Sequence, residues 1–221
     1  MRRSLPAACR VVGLAACLAL GGAAVPAADD PWLAIERLRA ALAADGPLEA
    51  DFRQSYLPAG FTSGDTEAGA AALSLPDCLR WDYTEPDRKS FLVCGARAWS
   101  WVEGEPRGQR FTIEADRETG LDLLLLPASE LAVRYRASTH RLADGKIEII
   151  LEPLAADGAL TVANLVLAPD GRRIEALDWR DREGSVTSFR FARWRGLADG
   201  DRFAPPPELD WSDAGDAAGV R

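Results

Sequence analysis

Four cysteines, one histidine and a close pair of aspartates are the residues of this chain whose types invite covalent, metal or acid–base chemistry. Cys78 and Cys94 are too far apart for a zinc site, which takes close pairs and usually four ligands. In an exported chain an even pair of this kind points to a disulfide; two buried free thiols are the other reading. His140 stands between Thr139 and Arg141 with no recognisable partner, and a lone histidine builds no multi-histidine metal site. Asp178 and Asp181 are spaced as paired carboxylates. With 34 acids in the chain, however, such pairs arise by chance, and a solvated charged turn is the plainer reading. Gly-x-Ser-x-Gly, a phosphate-cradling glycine loop and Cys-x-x-Cys are all absent from the sequence. Acid–base catalysis needs a positioned, pKa-tuned group, and nothing here nominates one. No catalytic residue, no metal site and no cofactor is therefore expected, and the chain is not read as an enzyme.

The composition narrows the partners. The 34 acids against 26 bases give a formal charge of −8, which argues against nucleic acid, because phosphate binding needs a basic surface. A hydrophobic content of 48% excludes wholesale disorder, and 221 residues suit one domain with a core of its own. Seven tryptophans and seven phenylalanines against a single methionine form an aromatic surplus, the first hint that something apolar is handled.

Residues 1–28 read as an export signal. Arg2, Arg3 and Arg10 precede an apolar stretch from Val11 to Gly22, and small residues from Ala23 to Ala28 offer a cleavage site between Ala24 and Ala28. The apolar stretch is too short to span a membrane, and no later segment reaches the ~18 apolar residues a span needs. Removal of the signal takes away three arginines and no acid, so 23 bases remain against 34 acids and the charge deepens to −11. Leu14-Ala15-Ala16-Cys17 also matches a lipobox, which would leave the protein lipid-anchored at Cys17. The expected organisation is a signal over 1–28, one domain over 29–212 and a polar tail over 213–221.

The elements that position the remaining residues follow from periodicity. Asp30 can cap a helix begun by Pro31, and Trp32, Ile35, Leu38 and Leu42 give it one apolar face before Gly46-Pro47 stops it. Leu48, Phe52 and Tyr56 continue as helix or strand. From Ala70 the period becomes two, with strands predicted near 79–83, 90–93, 99–101, 111–113, 131–136, 146–152, 160–168, 173–179 and 185–194. Gly120 to Pro127, with Leu123, Leu124, Leu125 and Leu126, reads as a short helix or lid. The sum is an α+β domain dominated by a curved or barrel-like antiparallel sheet. With the turn Thr84–Arg88 centred on Pro86, Trp81 faces Phe91, Leu79 faces Val93 and Cys78 faces Cys94. One register thus groups the aromatics on one face and sets the two cysteines opposite each other on the other, predicting a cross-strand disulfide.

Five stretches, taken in order, resemble the LolA family of periplasmic carriers of outer-membrane lipoproteins. Leu48-Glu49-Ala50-Asp51-Phe52-Arg53-Gln54 resembles its A-x-F-x-Q element. Pro76-Asp77-Cys78-Leu79-Arg80-Trp81-Asp82-Tyr83-Thr84-Glu85-Pro86 is similar to P-x-x-hydrophobic-R-W-x-Y-x-x-P. Phe91 to Trp101 resembles L-V-x-D-G-x-x-x-W-x-Y, Asp181 to Phe189 resembles D-x-x-G-N-x-T-x-F, and Phe203-Ala204-Pro205-Pro206 resembles F-x-x-P-P. The resemblance implies an open, incomplete antiparallel β-barrel with a helical lid, sheltering acyl chains between them. Its cargo would be acylated lipoproteins, received by a monomeric carrier from an inner-membrane ABC transporter and passed to an outer-membrane receptor. Expected lining residues are Leu79, Trp81, Phe91, Val93, Trp99, Trp101, Phe189 and Phe191. Expected lid residues are Trp32, Ile35, Leu38 and Leu123 to Leu126. Plain core is the competing reading of each, and many can serve as core when empty and wall when loaded. A lipid-binding or envelope-sensing module of the same fold is the rival function. Two positions depart from the family pattern: Leu75 replaces a basic residue thought to tie the lid, and Cys94 replaces an aspartate.

Overall fold

The computed structural model describes residues 30–113, 122–198 and 200–213. The expected signal, with Cys17, and the tail beyond Asp213 lie outside the described residues. Helix α1 (Pro31–Ala44) starts as read: the Asp30 carboxylate accepts from the Trp32 and Leu33 amides at 2.9 and 3.1 Å, and Pro31 occupies the first turn. Its buried stripe is Ala34, Ile35, Leu38, Ala41 and Leu42.

Six strands follow: β1 (Leu48–Leu57), β2 (Asp65–Ser74), β3 (Cys78–Glu85), β4 (Lys89–Cys94), β5 (Arg97–Val102) and β6 (Arg107–Thr112). Two short helices, α2 (Asp122–Leu125) and α3 (Ala128–Ala132), interrupt them. The chain returns to β7 (Tyr135–Arg141), β8 (Ile147–Pro153), β9 (Leu160–Leu167), β10 (Ile174–Asp181) and β11 (Val186–Gly196), then passes a 3-10 turn (Gly200–Phe203) into β12 (Asp210–Asp213). The twelve described strands form one curved, unclosed sheet in the order β12-β6-β5-β4-β3-β2-β1-β11-β10-β9-β8-β7. The expected open, incomplete antiparallel barrel is therefore the observed fold. The one parallel pairing among the described residues is β12 on β6, a strand at the edge of what the sequence suggested was polar tail.

One open choice is settled and two expectations need adjustment. Residues 48–57 are strand, because Leu48, Ala50 and Phe52 continue a period-two stripe. The segment 131–136 is not one strand: Pro127 holds the extended conformation that precedes a helix, α3 runs to Ala132, and strand begins at Tyr135. Strand β2 starts five residues before Ala70, where the polar Asp65–Glu67 hides the alternation.

Helices α1, α2 and α3 all contribute to one core cluster with a single face of the sheet, the inner face. On β3 this face carries Leu79, Trp81 and Tyr83, all buried, while Cys78, Arg80 and Asp82 point outward.

Candidate functional site

The inner face gathers an aromatic cluster from the adjacent strands β1, β11 and β10 and, across β2, from β3. Trp81 is 2% exposed and lies in register between Ala71 of β2 and Phe91 of β4. Phe52 on β1 lies between Gly69 of β2 and Phe191 of β11. Ala50 and Ala71 form a small-residue floor between the ring-bearing positions and leave room for rings to lean across it, while Gly69 lets the β3 backbone come close: a Cβ there would lie 2.0 Å from the Asp82 carbonyl oxygen. The Trp81 ring accordingly meets Phe52 edge-on at 4.9 Å, Phe189 at 4.8 Å and Phe191 at 5.8 Å. Trp179 adds a fifth ring, 5.5 Å from Phe189. Each such pair contributes about 0.5–1.5 kcal/mol beyond its buried area. One polar atom in this cluster is unserved: Trp81 Nε1 is buried with no hydrogen-bond partner among the described residues. Trp194 Nε1 donates to the Ile174 carbonyl at 2.8 Å and Trp211 Nε1 to the Pro206 carbonyl at 3.3 Å. An unpaired buried donor costs about 1–3 kcal/mol.

The helices cover this face. Ile35 and Leu38 of α1, Leu123 and Leu124 of α2 and Leu131 of α3 are buried in the same cluster, and Trp32, Leu125 and Leu126 pack against it half-buried. Arg39 Nη1 donates to the Leu124 carbonyl at 3.1 Å, joining α1 to α2; burial pulls its pKa down, partly opposed by the charge of Glu130. Leu75, where a basic lid tie was expected of the family, is half-buried against the core instead. Helices of four and five residues have few internal hydrogen bonds, so α2 and α3 are held over the sheet by the burial of Leu123, Leu124, Ala128 and Leu131.

Toward the end of the sheet that holds the β1–β2 turn, the inner face becomes polar. The Tyr83 hydroxyl donates to Gln54 Oε1 at 2.6 Å, and Lys89 Nζ pairs with Glu67 at 2.6 Å while lying 4.7 Å from the Tyr83 ring centre. Burial, and then the charge of Glu67, raise the Tyr83 hydroxyl above the ordinary tyrosine range. Beyond this rim, Tyr56, Leu57 and Phe61 remain exposed, Phe61 at 68%.

The outer face of the same strands is built differently. Cys78 and Cys94 are paired in register and joined as a disulfide, with 4.2 Å between their Cα atoms, as the hairpin register predicted. Asp82 accepts from Arg80 Nε at 2.8 Å, from Arg202 Nη2 at 2.9 Å and from the Ser90 hydroxyl at 2.6 Å. Arg202 also reaches the buried Glu49 at 2.9 Å, so the 3-10 turn is pinned across β1 and β3.

Of the eight expected lining residues, six belong to the inner face. Leu79, Trp81, Phe189 and Phe191 lie in the core cluster, Phe91 packs against it, and Val93 is buried opposite Leu79. Trp99 and Trp101 do not join them. The two-residue turn Gly95-Ala96 pairs Leu92 with Trp99 and Ser90 with Trp101, which sends both tryptophans to the outer face. There Trp101 meets Trp211 edge-on at 6.0 Å, with the Arg80 guanidinium 5.0 Å from its ring centre. Gly108, in register with both tryptophans, leaves no space for a side chain: a Cβ there would lie 2.3 Å from the Trp211 ring. All seven expected lid residues do lie on the cluster. The expected set omits Phe52, Tyr83, Tyr135 and Trp179, although the same period-two parity that selected Trp81 and Phe189 marks all four.

Of the groups first singled out for chemistry, the two aspartates have structural work. Asp178 pairs with Arg190 at 2.5 Å, Asp181 accepts from the Ser185 amide at 2.8 Å, and His140 is exposed on β7 opposite Glu148.

A family model described as outer membrane lipoprotein carrier protein LolA matches residues 47–203, from β1 to the 3-10 turn. The chain belongs to the LolA family. An outer-membrane lipoprotein carrier protein of Methylococcus capsulatus is 25% identical over 181 residues, covering 79% of this chain and 85% of that relative. Among solved structures, an uncharacterized conserved protein from Thermus thermophilus has a TM-score of 0.54 at 9% identity, covering 82% of this chain and 98% of its own. A LolA superfamily protein from Nitrosomonas europaea has a TM-score of 0.45 at 10% identity, with 80% and 98% covered. In this LolA-family chain no described helix is long and apolar enough to cross a membrane.

Proposed function

We propose that this protein is a periplasmic carrier that shelters the acyl chains of lipoproteins between the inner sheet face and its helices. One observation carries the reading: on a LolA-family fold, a continuous aromatic and aliphatic surface is covered by three helical pieces that add apolar side chains of their own. An acyl chain entering this space gains about 25 cal/mol for each Å² of apolar surface taken from water. It must displace lid side chains that have already buried the same wall, so net affinity stays modest and release is possible. The cargo is accepted from an inner-membrane lipoprotein-releasing ABC transporter and delivered to the outer membrane, to a receptor where one exists. The signal over residues 1–28 exports the chain, and the carrier works as a monomer, without catalysis, metal or cofactor. The name of the Methylococcus capsulatus relative supports lipoproteins as the cargo.

Depletion of the protein in its own cells tests this directly. Acylated lipoproteins are expected to accumulate in the inner membrane, and correct sorting after depletion contradicts the carrier reading. Mass spectrometry of protein purified from the periplasm adds a second readout. Lipoprotein-derived acyl chains support the proposal, while a different bound lipid favours the module that carries or senses another lipid.

A further inference from the structure

The unpaired Trp81 N–H is the feature of the inner face that packing does not explain. A buried tryptophan N–H usually finds a hydrogen-bond partner, and an aromatic core can be built from phenylalanine, which has no donor to leave unpaired. Trp81 is 2% exposed, its Nε1 has no partner among the described residues, and the rings of Phe52, Phe189 and Phe191 around it offer no oxygen. The next polar group on the same strand face, the Tyr83 hydroxyl, is committed to Gln54. We propose that Trp81 Nε1 is the donor for a carbonyl oxygen of the ligand, and that the carbonyl belongs to an ester or amide that joins an acyl chain to its head group. This rests on the acyl-chain reading and names the chemical class that the site selects.

The partner is an uncharged acceptor rather than a carboxylate. An anion placed beside Trp81 would need a cation to offset its desolvation. The lysine on this face near it, Lys89, is already paired with Glu67 at 2.6 Å. A neutral carbonyl needs one hydrogen bond, and one is on offer. The position also fits the division of the face: apolar wall on one side of Trp81, and the polar rim of Gln54, Glu67, Tyr83 and Lys89 on the other.

Two matched probes test the proposal on the full mature chain after delipidation. Dioctanoylglycerol presents two ester carbonyls, and 1,2-di-O-octylglycerol has the same chain length with ether links and none. The wild-type protein is expected to bind the ester about 5- to 10-fold more tightly than the ether, the range of one hydrogen bond made in a dry site. Trp81→Phe keeps an aromatic ring at the position, smaller than the indole, and removes the N–H. It is expected to bind both probes equally, because the donor that distinguishes them is gone. In wild-type protein, the ester and not the ether is expected to move one indole N–H proton resonance downfield, a readout that does not depend on the variant folding. Equal wild-type affinity for the two probes, an ester preference that survives in Trp81→Phe, or an unmoved indole resonance overturns the assignment. Binding of neither probe overturns the carrier reading together with it.

Discussion

On β3, alternate residues build two surfaces of opposite character. Leu79, Trp81 and Tyr83 enter a core in which aromatic rings meet each other and the helices; Cys78, Arg80 and Asp82 face outward into a disulfide and a set of ion pairs that hold the C-terminal turn. The inner surface is made of apolar and aromatic contacts beneath α1 and two short helices. The outer surface is crosslinked, charged and specific in geometry. A carrier needs both: a face whose cover can move, and a frame that keeps its curvature when it does. The frame can be rigid because the disulfide and these ion pairs lie on the face away from the inner cluster.

This division is broken most severely at Trp81. Trp81→Ala is expected to cost about 3–5 kcal/mol in urea unfolding, from lost burial and the cavity left among Phe52, Phe189 and Phe191. It should also weaken binding of an acyl probe. Next comes the frame. Replacing Cys78 and Cys94 together by alanine removes a link across 16 residues. By the chain-entropy account this costs about 3 kcal/mol, and probe affinity should stay unchanged. Trp211→Ala removes the edge contact to Trp101 and uncovers the flank of Gly108. It should cost about 1–2 kcal/mol, again with no effect on the probe. A loss of probe affinity in either outer-face variant would show that the two surfaces are coupled.

The smallest effect is electrostatic. Hydrogen bonding from Arg195, and then from Arg193, holds the Asp51 carboxyl below its ordinary range against the opposing effect of burial. A folded-state pKa below the unfolded value of about 3.9 means the pairing stabilises the fold above that value and is lost as the pH falls through it toward the lower folded value. Asp51→Asn should therefore flatten the acid limb of the stability profile below about pH 4, with a change under about 1 kcal/mol at neutral pH, as for exposed pairs. A steeper acid limb in the variant would contradict the assignment.

Much of this division can be read from the sequence, and where reading fails the cause is local. The β3–β4 hairpin is legible because alternation, a proline turn and two cysteines all agree on one register. Its neighbour is less so. Trp99 and Trp101 alternate as clearly as Trp81 and Tyr83, but their face depends on the length of the Gly95-Ala96 turn, not on their own pattern. A two-residue turn pairs odd with even positions, so the odd-numbered tryptophans of β5 join the even-numbered residues of β4. The leucine-rich insert is legible as a helix from its composition and closing proline. Its tie to α1 is not, because Arg39 and Leu124 are 85 residues apart and the bond ends on a backbone carbonyl that carries no sequence signal. The unpaired Trp81 donor is of the same kind: a missing partner leaves no trace in a sequence.

The central claim is that ligand meets the inner face and not the outer one. A triacylated lipopeptide with a diazirine in one acyl chain, bound to the delipidated protein and photolysed, reads this at residue level by tandem mass spectrometry. Crosslinks are expected on Leu79, Trp81, Phe91, Phe189 and Phe191, and on lid residues such as Leu38 and Leu124. Crosslinks confined to Leu92, Trp99, Trp101 or Trp211 would place the chain on the outer face and contradict the claim.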